Sequence, residues 1–132
     1  MLIGVPREIK TREYRVGLTP SSVREATAHG HKVLVETKAG EGIGAADADY
    51  ERAGATIAKT AAEIFQAADM IVKVKEPQAA ERRMLRRDQV LFTYLHLAPD
   101  AAQTTDLIAS GATCIAYETV TSAAGGLPLL AP

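Results

Sequence analysis

The stretch Met70–Pro77 (MIVKVKEP) determines how this chain folds. Its nearly continuous apolar residues are typical of a parallel strand that is covered on both faces, and Pro77 cannot continue the hydrogen-bond ladder. Lys75 is therefore expected at the carboxyl end of a buried strand. Ligands of open α/β sheets bind outside such strand ends, so Lys75 is a candidate for binding an anionic substrate. The same position also suits an ordinary solvent-exposed lysine, since lysine is rarely buried.

Strand and helix patterns alternate on both sides of this stretch. Strands are predicted at 2–5, 32–36, 55–57, 70–74, 90–94 and 114–117, and helices at 20–29, 47–53, 60–67, 81–87 and 100–111. Thr19, Thr60 and Asp100 have the side chains that cap helix amino termini. The alternation predicts an α/β fold with a mainly parallel open sheet flanked by helices, similar to Rossmann-like or flavodoxin-like domains.

Size, charge and cysteine content exclude several classes of protein. The 132 residues, 47% of them hydrophobic, are enough for one domain with one core. A formal net charge of -1 gives no field that would favour a nucleic acid or an anionic membrane. Cys114 is the only cysteine, which rules out an internal disulfide and fits a reducing compartment. We expect a cytoplasmic protein without a signal peptide or membrane span.

Two short motifs resemble binding sites but are better explained structurally. Gly40–Ala45 (GEGIGA) formally satisfies the dinucleotide fingerprint G-x-G-x-x-G/A. Three residues separate it from the preceding strand, however, and Asp47 and Asp49 follow where they would repel a phosphate. We therefore predict a glycine-rich turn and no cofactor site in this chain. His29 and His31 lack a third nearby ligand, so no metal site is predicted either.

Chemically capable residues recur where predicted strands end. Arg15 lies in a charged loop after the first strand, Lys75 and His96 follow later strands, and Glu118 ends the last one. Parallel strands bring these ends to one edge of the sheet. Two cations, an imidazole and a carboxylate suit a small substrate that carries a carboxylate and undergoes acid or base chemistry. A solvated loop for Arg15 and a structural role for His96 remain the alternatives.

Five segments resemble successive motifs of the alanine dehydrogenase family. They are Ile3–Lys10 (IGVPREIK), Arg15–Pro20 (RVGLTP), Val72–Pro77 (VKVKEP), Leu91–Ala98 (LFTYLHLA) and Ile115–Val120 (IAYETV). The resemblance spans the whole chain but only the amino-terminal part of that enzyme. It implies that residues 1–132 form the amino-terminal substrate and catalytic domain, truncated at Pro132 before the NAD-binding domain, and that the chain alone is inactive.

The resemblance also implies an activity and a role for each site residue. The activity is the NAD-dependent, reversible oxidative deamination of L-alanine to pyruvate and ammonium. Arg15 and Lys75 match the residues that bind the substrate carboxylate and carbonyl, and His96 matches the catalytic acid and base. Tyr94 and Glu118 match supporting neighbours. NAD would be bound mainly by the second domain, and the full-length enzyme would be a homohexamer.

Two other functions remain open at this point. The amino-terminal domain of the proton-translocating NAD(P) transhydrogenase alpha subunit shares the architecture and binds no amino acid. That family lacks the histidine that is His96 here and usually lacks the lysine that is Lys75 here. A non-catalytic domain derived from either family is the third hypothesis, against which the presence of Arg15, Lys75 and His96 argues.

Overall fold

The computed structural model describes residues 1–131. It shows a six-stranded parallel sheet with helices on both faces. The strands are β1 (Leu2–Val5), β2 (Lys32–Glu36), β3 (Thr56–Ala58), β4 (Met70–Val72), β5 (Val90–Thr93) and β6 (Thr113–Ala116). The helices are α1 (Pro20–Ala28), α2 (Asp47–Arg52), α3 (Ala61–Ala67), α4 (Ala79–Arg82) and α5 (Ala101–Ser110). The predicted α/β class is confirmed. The predicted boundary at Pro132 lies outside the described residues.

The order of the strands places a crevice at the centre of the sheet. The order is β3-β2-β1-β4-β5-β6, and all five neighbouring pairs are parallel. This is the Rossmann order, in which the direction of winding reverses between the two central strands. The reversal falls between β1 and β4, where Ile3 pairs with Met70. The loops that leave the carboxyl ends of β1 and β4 therefore diverge and leave room for a ligand.

Two apolar clusters, one on each face, bury the sheet. One packs Val23 of α1 and Tyr50 of α2 against Val33 and Val35 of β2. The other packs α3 and α5 against β4 and β5. Gly4 of β1 allows α3 to approach closely, because a Cβ there would lie 2.6 Å from the Cγ2 of Ile64. Both faces of the central strands are consequently covered, as the continuous apolar runs predict.

The predicted helix caps are present. The Thr19 hydroxyl accepts a hydrogen bond from the Ser22 amide (3.3 Å), and the Asp100 carboxylate accepts one from the Gln103 amide (2.9 Å). Gly111 ends α5 with a φ of 71°, a backbone conformation that glycine adopts without strain. Local sequence chemistry therefore sets where these helices begin and end.

Two elements differ from the prediction by more than one residue at an end. β4 ends at Val72 instead of residue 74, because the Val74 amide donates to the Glu8 carboxylate (2.6 Å) instead of a carbonyl of the neighbouring strand. The predicted helix 81–87 is instead α4, which is four residues long, followed by a turn in which Leu85 remains buried. Each helix within residues 1–131 falls short of the length and hydropathy that a bilayer span requires.

Candidate active site

The loop after β1 passes directly over the end of β4. A Cβ at Gly17 would lie 2.4 Å from the carbonyl oxygen of Val72, so the two backbones are in contact and only glycine fits. Because Arg15 is two residues before Gly17 and Lys75 is three residues after Val72, this contact brings the two cations to the same part of the sheet edge. The crevice between β1 and β4 thus receives positive charge from both of its sides.

Lys75, Tyr94 and His96 form one contiguous group. The Lys75 ammonium lies 4.7 Å from the centroid of the Tyr94 ring, within the range of a cation–π contact. The Tyr94 ring also stacks on the His96 imidazole, with centroids 5.6 Å apart and an interplanar angle of 13°. The Tyr94 hydroxyl is 3.1 Å from Nδ1 of His96. This bond leaves Nε2 of His96 as the ring nitrogen available to a substrate.

Glu118 contacts the backbone of His96, not its imidazole. It lies in a 3-10 turn, Tyr117–Thr119, directly after β6. Its carboxylate accepts hydrogen bonds from the amide of Leu95 (3.1 and 3.2 Å) and from the amide of His96 (2.8 Å). His96 has a φ of 47°, in the left-handed region. Glu118 therefore binds the amides of a turn whose backbone is unfavourable for most residues.

Arg15 is already held by a carboxylate of its own loop. Its Nε donates to Oε1 of Glu13 (2.8 Å) and its Nη2 donates to Oε2 (2.7 Å), which is a bidentate pair. The Glu13 side chain is 7% exposed and that of Arg15 is 63% exposed. These bonds use the Nε–Nη2 edge of the guanidinium. Within residues 1–131 no hydrogen bond uses Nη1, so the Nη1–Nη2 edge can donate hydrogen bonds to a second carboxylate.

The Arg15 pair lowers the pKa of Glu13 to about 2. The bonds from Arg15 are the largest cause, burial opposes them, and the charge of Lys75 lowers the pKa further. The influence of Lys75 agrees with the proximity of the two loops. Conversely, Glu13 raises the pKa of Arg15. Glu13 is therefore a carboxylate throughout the neutral range, and it orients Arg15 without competing for a proton.

A buried ion cluster lies at the base of the segment that carries Lys75. Nζ of Lys73 is 2.9 Å from Oε2 of Glu8 and 2.9 Å from Oε2 of Glu81, and the three side chains are 0 to 2% exposed. Burial raises the pKa of Glu81, an effect that the charge of Lys73 opposes. Glu8 also accepts a hydrogen bond from the Val74 amide. Because a buried lysine needs partners, the cluster fixes the chain immediately before Lys75.

Tyr117 and Thr93 fix the same segment from the other side. The Tyr117 hydroxyl donates to the carbonyl of Val74 (2.8 Å), and the Thr93 hydroxyl donates to the carbonyl of Lys75 (2.9 Å). The Tyr117 ring also packs against the Tyr94 ring, with centroids 6.1 Å apart. Burial raises the pKa of Tyr117, against the effect of the Arg15 charge. Neither residue was predicted from the sequence as part of the site, although an aromatic side chain next to Glu118 at a strand end is a usable signal.

The glycine-rich loop packs against the loop that carries Arg15. Glu41–Ile43 form a 3-10 turn, which confirms the predicted glycine-rich turn. A Cβ at Gly42 would lie 2.1 Å from the carbonyl oxygen of Tyr14, so this glycine is needed for the contact. The next helix, α2, has only six residues. The loop therefore packs against the backbone of Tyr14, the residue before Arg15.

A cleft of about 400 Å³ opens beside Arg15 on the β1–β2 side of the crevice. Arg15, Glu13 and Lys38 line it, whereas Lys75 and His96 do not. Arg15 therefore lines this cleft, while its loop touches the end of β4 through Gly17. Within the described part of the chain, no group of three or more His, Cys, Asp or Glu residues could hold a metal ion.

The chain is similar to a known family of proteins. The family model described as "Alanine dehydrogenase/PNT, N-terminal domain" matches residues 4–132. This chain belongs to that family. The alanine dehydrogenase/PNT assignment agrees with the five motifs and with the parallel sheet.

Individual members of the alanine dehydrogenase/PNT family match the whole chain. Alanine dehydrogenase of Halomonas elongata is 57% identical over 132 residues, and that of Mycolicibacterium smegmatis is 52% identical; both matches cover 100% of this chain and 36% of the relative. A solved structure titled L-alanine dehydrogenase superposes with a TM-score of 0.95 at 52% identity, covering 98% of this chain and 36% of the other. This chain spans about a third of the length of these relatives.

Transhydrogenase is a more distant relative within the alanine dehydrogenase/PNT family. The crystal structure of a transhydrogenase from Sinorhizobium meliloti superposes with a TM-score of 0.84 at 30% identity, covering 89% of this chain and 35% of the other. Both the sequence identity and the structural agreement therefore favour the alanine dehydrogenases.

One prediction follows from the Arg15–Glu13 pair. Glu13 should remain ionised at about pH 3.5, where a glutamate with the usual pKa of 4.5 is mostly protonated. Since its pKa is lowered on folding, the pair contributes stability above pH 4.5 and loses it as the pH falls towards 2. NMR of the side-chain carboxyl carbon measures this titration. In an Arg15→Met control the pKa should rise, and an unchanged titration would contradict the pairing.

Proposed function

We propose that residues 1–132 are the amino-terminal substrate and catalytic domain of an NAD-dependent L-alanine dehydrogenase. The observation that supports the proposal is the contact of Gly17 with Val72, which brings the loops of Arg15 and Lys75 together, beside the group formed by Lys75, Tyr94 and His96. The 57% identity to an alanine dehydrogenase supports the same activity. The reaction would be the reversible oxidative deamination of L-alanine to pyruvate and ammonium.

Arg15 and Lys75 would bind and orient the substrate. The Nη1–Nη2 edge of Arg15 matches the two oxygens of a carboxylate and would take the carboxylate of alanine or pyruvate, while Glu13 keeps hold of the other edge. Lys75 would donate to the carbonyl oxygen of pyruvate. The Tyr94 ring beneath its ammonium limits where that charge can lie. Together the two cations would fix which face of the substrate meets the hydride carrier.

His96 would act as the general acid and base. During deamination, loss of the hydride would leave an iminium, and water would add to it to give a carbinolamine with a protonated amine. Nε2 would then take the proton of the carbinolamine hydroxyl as the C–N bond breaks and ammonia leaves, and in the reverse direction it would return that proton to the oxygen. When Nε2 is the free base, Nδ1 carries the proton and donates to the Tyr94 hydroxyl oxygen, and the imidazolium can keep the same bond. Tyr94 would therefore be a supporting residue for proton transfer, and Glu118 would support the turn that presents His96.

NAD would be held mainly by a second domain beyond these residues. The residues present here do not offer a phosphate cradle, since the glycine-rich loop packs on Tyr14 and leads into the short helix α2. When bound, NAD would accept the hydride from the α-carbon of alanine. We further propose a homohexamer in the cytoplasm, with the small-molecule substrate as its partner and with neither nucleic acid nor membrane involved.

The amino-terminal domain of a transhydrogenase is the second candidate, which the TM-score of 0.84 to such a structure supports. Steady-state assays of the full-length protein distinguish the two. We expect NADH to form with alanine and NAD, and to be consumed with pyruvate and ammonium. Hydride transfer between NADH and NADP without any response to alanine would favour the transhydrogenase and refute the proposal.

The chain of 132 residues should by itself bind no NADH and oxidise no alanine. The physical reason is the missing phosphate cradle, which leaves the hydride carrier without a binding site. Titration of NADH while its fluorescence is followed checks this, with the full-length protein as the positive control. Saturable binding in the micromolar range would contradict the assignment and restore the Gly40–Ala45 loop as a cofactor site.

A further inference from the structure

We propose that Gln103 of α5 is a positioning residue for His96, an inference that rests on the proposed role of His96 as acid and base. Gln103 is fully buried, at 0% exposure. Its Nε2 donates to the carbonyl oxygen of Leu95 at 2.8 Å. A glutamine is rarely buried this completely, and its amide must then be satisfied by a specific partner. The partner here is the carbonyl that immediately precedes His96.

Gln103 and Glu118 hold opposite ends of one peptide group. The carbonyl of Leu95 and the amide of His96 belong to the same planar unit. Gln103 binds its oxygen at 2.8 Å, and Glu118 binds its N–H at 2.8 Å. The side chain of Leu95, 2% exposed, is packed in the core and anchors the residue before that plane. The orientation of the plane is thereby fixed from three directions.

The fixed peptide plane matters because of the backbone conformation of His96. The φ of His96 is the rotation about the bond that follows this plane. Its value of 47° lies in the left-handed region, which is unfavourable for an L-residue. If the plane were released, a relaxed φ would carry the imidazole away from Tyr94 and Lys75. Gln103 therefore helps to keep Nε2 of His96 directed at the substrate without touching the substrate itself.

The position of Gln103 is itself well determined. Its backbone amide donates to the capping carboxylate of Asp100 at 2.9 Å, in the first turn of α5. Its Oε1 is buried and has no hydrogen-bond partner within residues 1–131. An unpaired buried oxygen costs stability, so the hydrogen bond that this side chain contributes is the one from its Nε2. The side-chain amide of Gln103 is better explained by the hydrogen bond that it donates to the carbonyl of Leu95.

Gln89 provides a matched control. It is also a glutamine at 0% exposure, and its Nε2 also donates to backbone carbonyls, those of Phe65 (2.8 Å) and Ala68 (2.9 Å). It precedes β5, at the opposite end of that strand from His96. Gln89→Met and Gln103→Met therefore remove the same groups from equally buried places, one remote from the site and one within it.

The test is steady-state kinetics of both variants in the full-length protein. Gln103→Met should lower kcat for alanine about tenfold and change the KM for alanine and NAD by less than about threefold, since small displacements of a catalytic group cost up to about 10² in rate. Gln89→Met should lower the melting temperature without lowering kcat. In a His96→Asn background, Gln103→Met should have no further effect on kcat, a coupling that a purely structural residue would not show.

Three results would overturn the inference. The first is an unchanged kcat in Gln103→Met, and the second is an equal loss of kcat in the wild-type background and in the His96→Asn background. The third is failure of both Gln103→Met and Gln103→Leu to fold while Gln89→Met folds, which would assign Gln103 to stability. A wild-type kcat in His96→Asn alone would instead refute the proposed function. The two failures are therefore distinguishable.

Discussion

His96→Asn in the full-length protein should lower the turnover of alanine by about 10²- to 10⁴-fold without unfolding the protein, because asparagine cannot exchange a proton near neutral pH. Asparagine is also the non-glycine residue best suited to the left-handed backbone that His96 adopts. The substitution should therefore preserve the turn and the bond to Glu118. Turnover under saturating alanine and NAD, together with a thermal melt, measures both quantities.

His29→Asn is the matched control for this experiment. His29 is an exposed histidine at the end of α1, and its Nδ1 contacts the carbonyl of Glu25 (2.9 Å). It lies just before β2, at the opposite end of the strands from the site. Its substitution should leave turnover unchanged. If His96→Asn kept wild-type turnover, or if it failed to fold, His96 would be a structural histidine and the proposed acid and base would be wrong.

Arg15→Lys should raise the KM for alanine and for pyruvate about 10- to 100-fold, while the KM for NAD stays nearly constant. A lysine has one ammonium, which cannot hold Glu13 and a substrate carboxylate at the same time through two bidentate edges. Loss of one charged hydrogen bond costs about 1.5 to 3 kcal/mol, which corresponds to this range. Steady-state kinetics with each substrate varied in turn measure the effect.

Arg12→Lys is the control for Arg15→Lys. Arg12 is an exposed arginine of the same loop and has a φ of 64°. The exchange conserves its charge, and none of the described side-chain hydrogen bonds links it to Glu13. Its KM for alanine should match that of the wild type. A KM for alanine that Arg15→Lys leaves unchanged would remove Arg15 from the substrate site.

The sequence was sufficient to predict the parts of the fold that depend on local pattern. The apolar run before Lys75 identified a buried strand, and the alternation around it identified the parallel sheet. The caps at Thr19 and Asp100 could be predicted because a hydroxyl or carboxylate at that point satisfies an amide only two or three residues away. The pattern also predicted that Lys75, His96 and Glu118 follow the carboxyl ends of strands, which the positions of β4, β5 and β6 confirm.

The contacts that give the site its geometry could not be predicted, because they join distant parts of the chain. Lys73 was predicted as part of a strand, yet its charge is balanced by Glu8, 65 residues earlier, and by Glu81. The same Glu8 carboxylate accepts the Val74 amide, which is thereby lost to the neighbouring strand, and β4 ends at Val72. The contact of Gly17 with Val72 likewise depends on the third dimension. Periodicity carries no information on such pairs.

Equilibrium binding of pyruvate is the most direct test of the central claim, that Arg15 and Lys75 form a carboxylate-binding substrate site. Pyruvate is titrated by calorimetry into the full-length protein saturated with NADH and without ammonium, so that no turnover occurs. We predict saturable binding that Arg15→Lys weakens at least about tenfold, since a charged hydrogen bond is lost. Lys75→Met should weaken it as well. No binding of pyruvate, or equal affinity in the wild type and Arg15→Lys, would contradict the site.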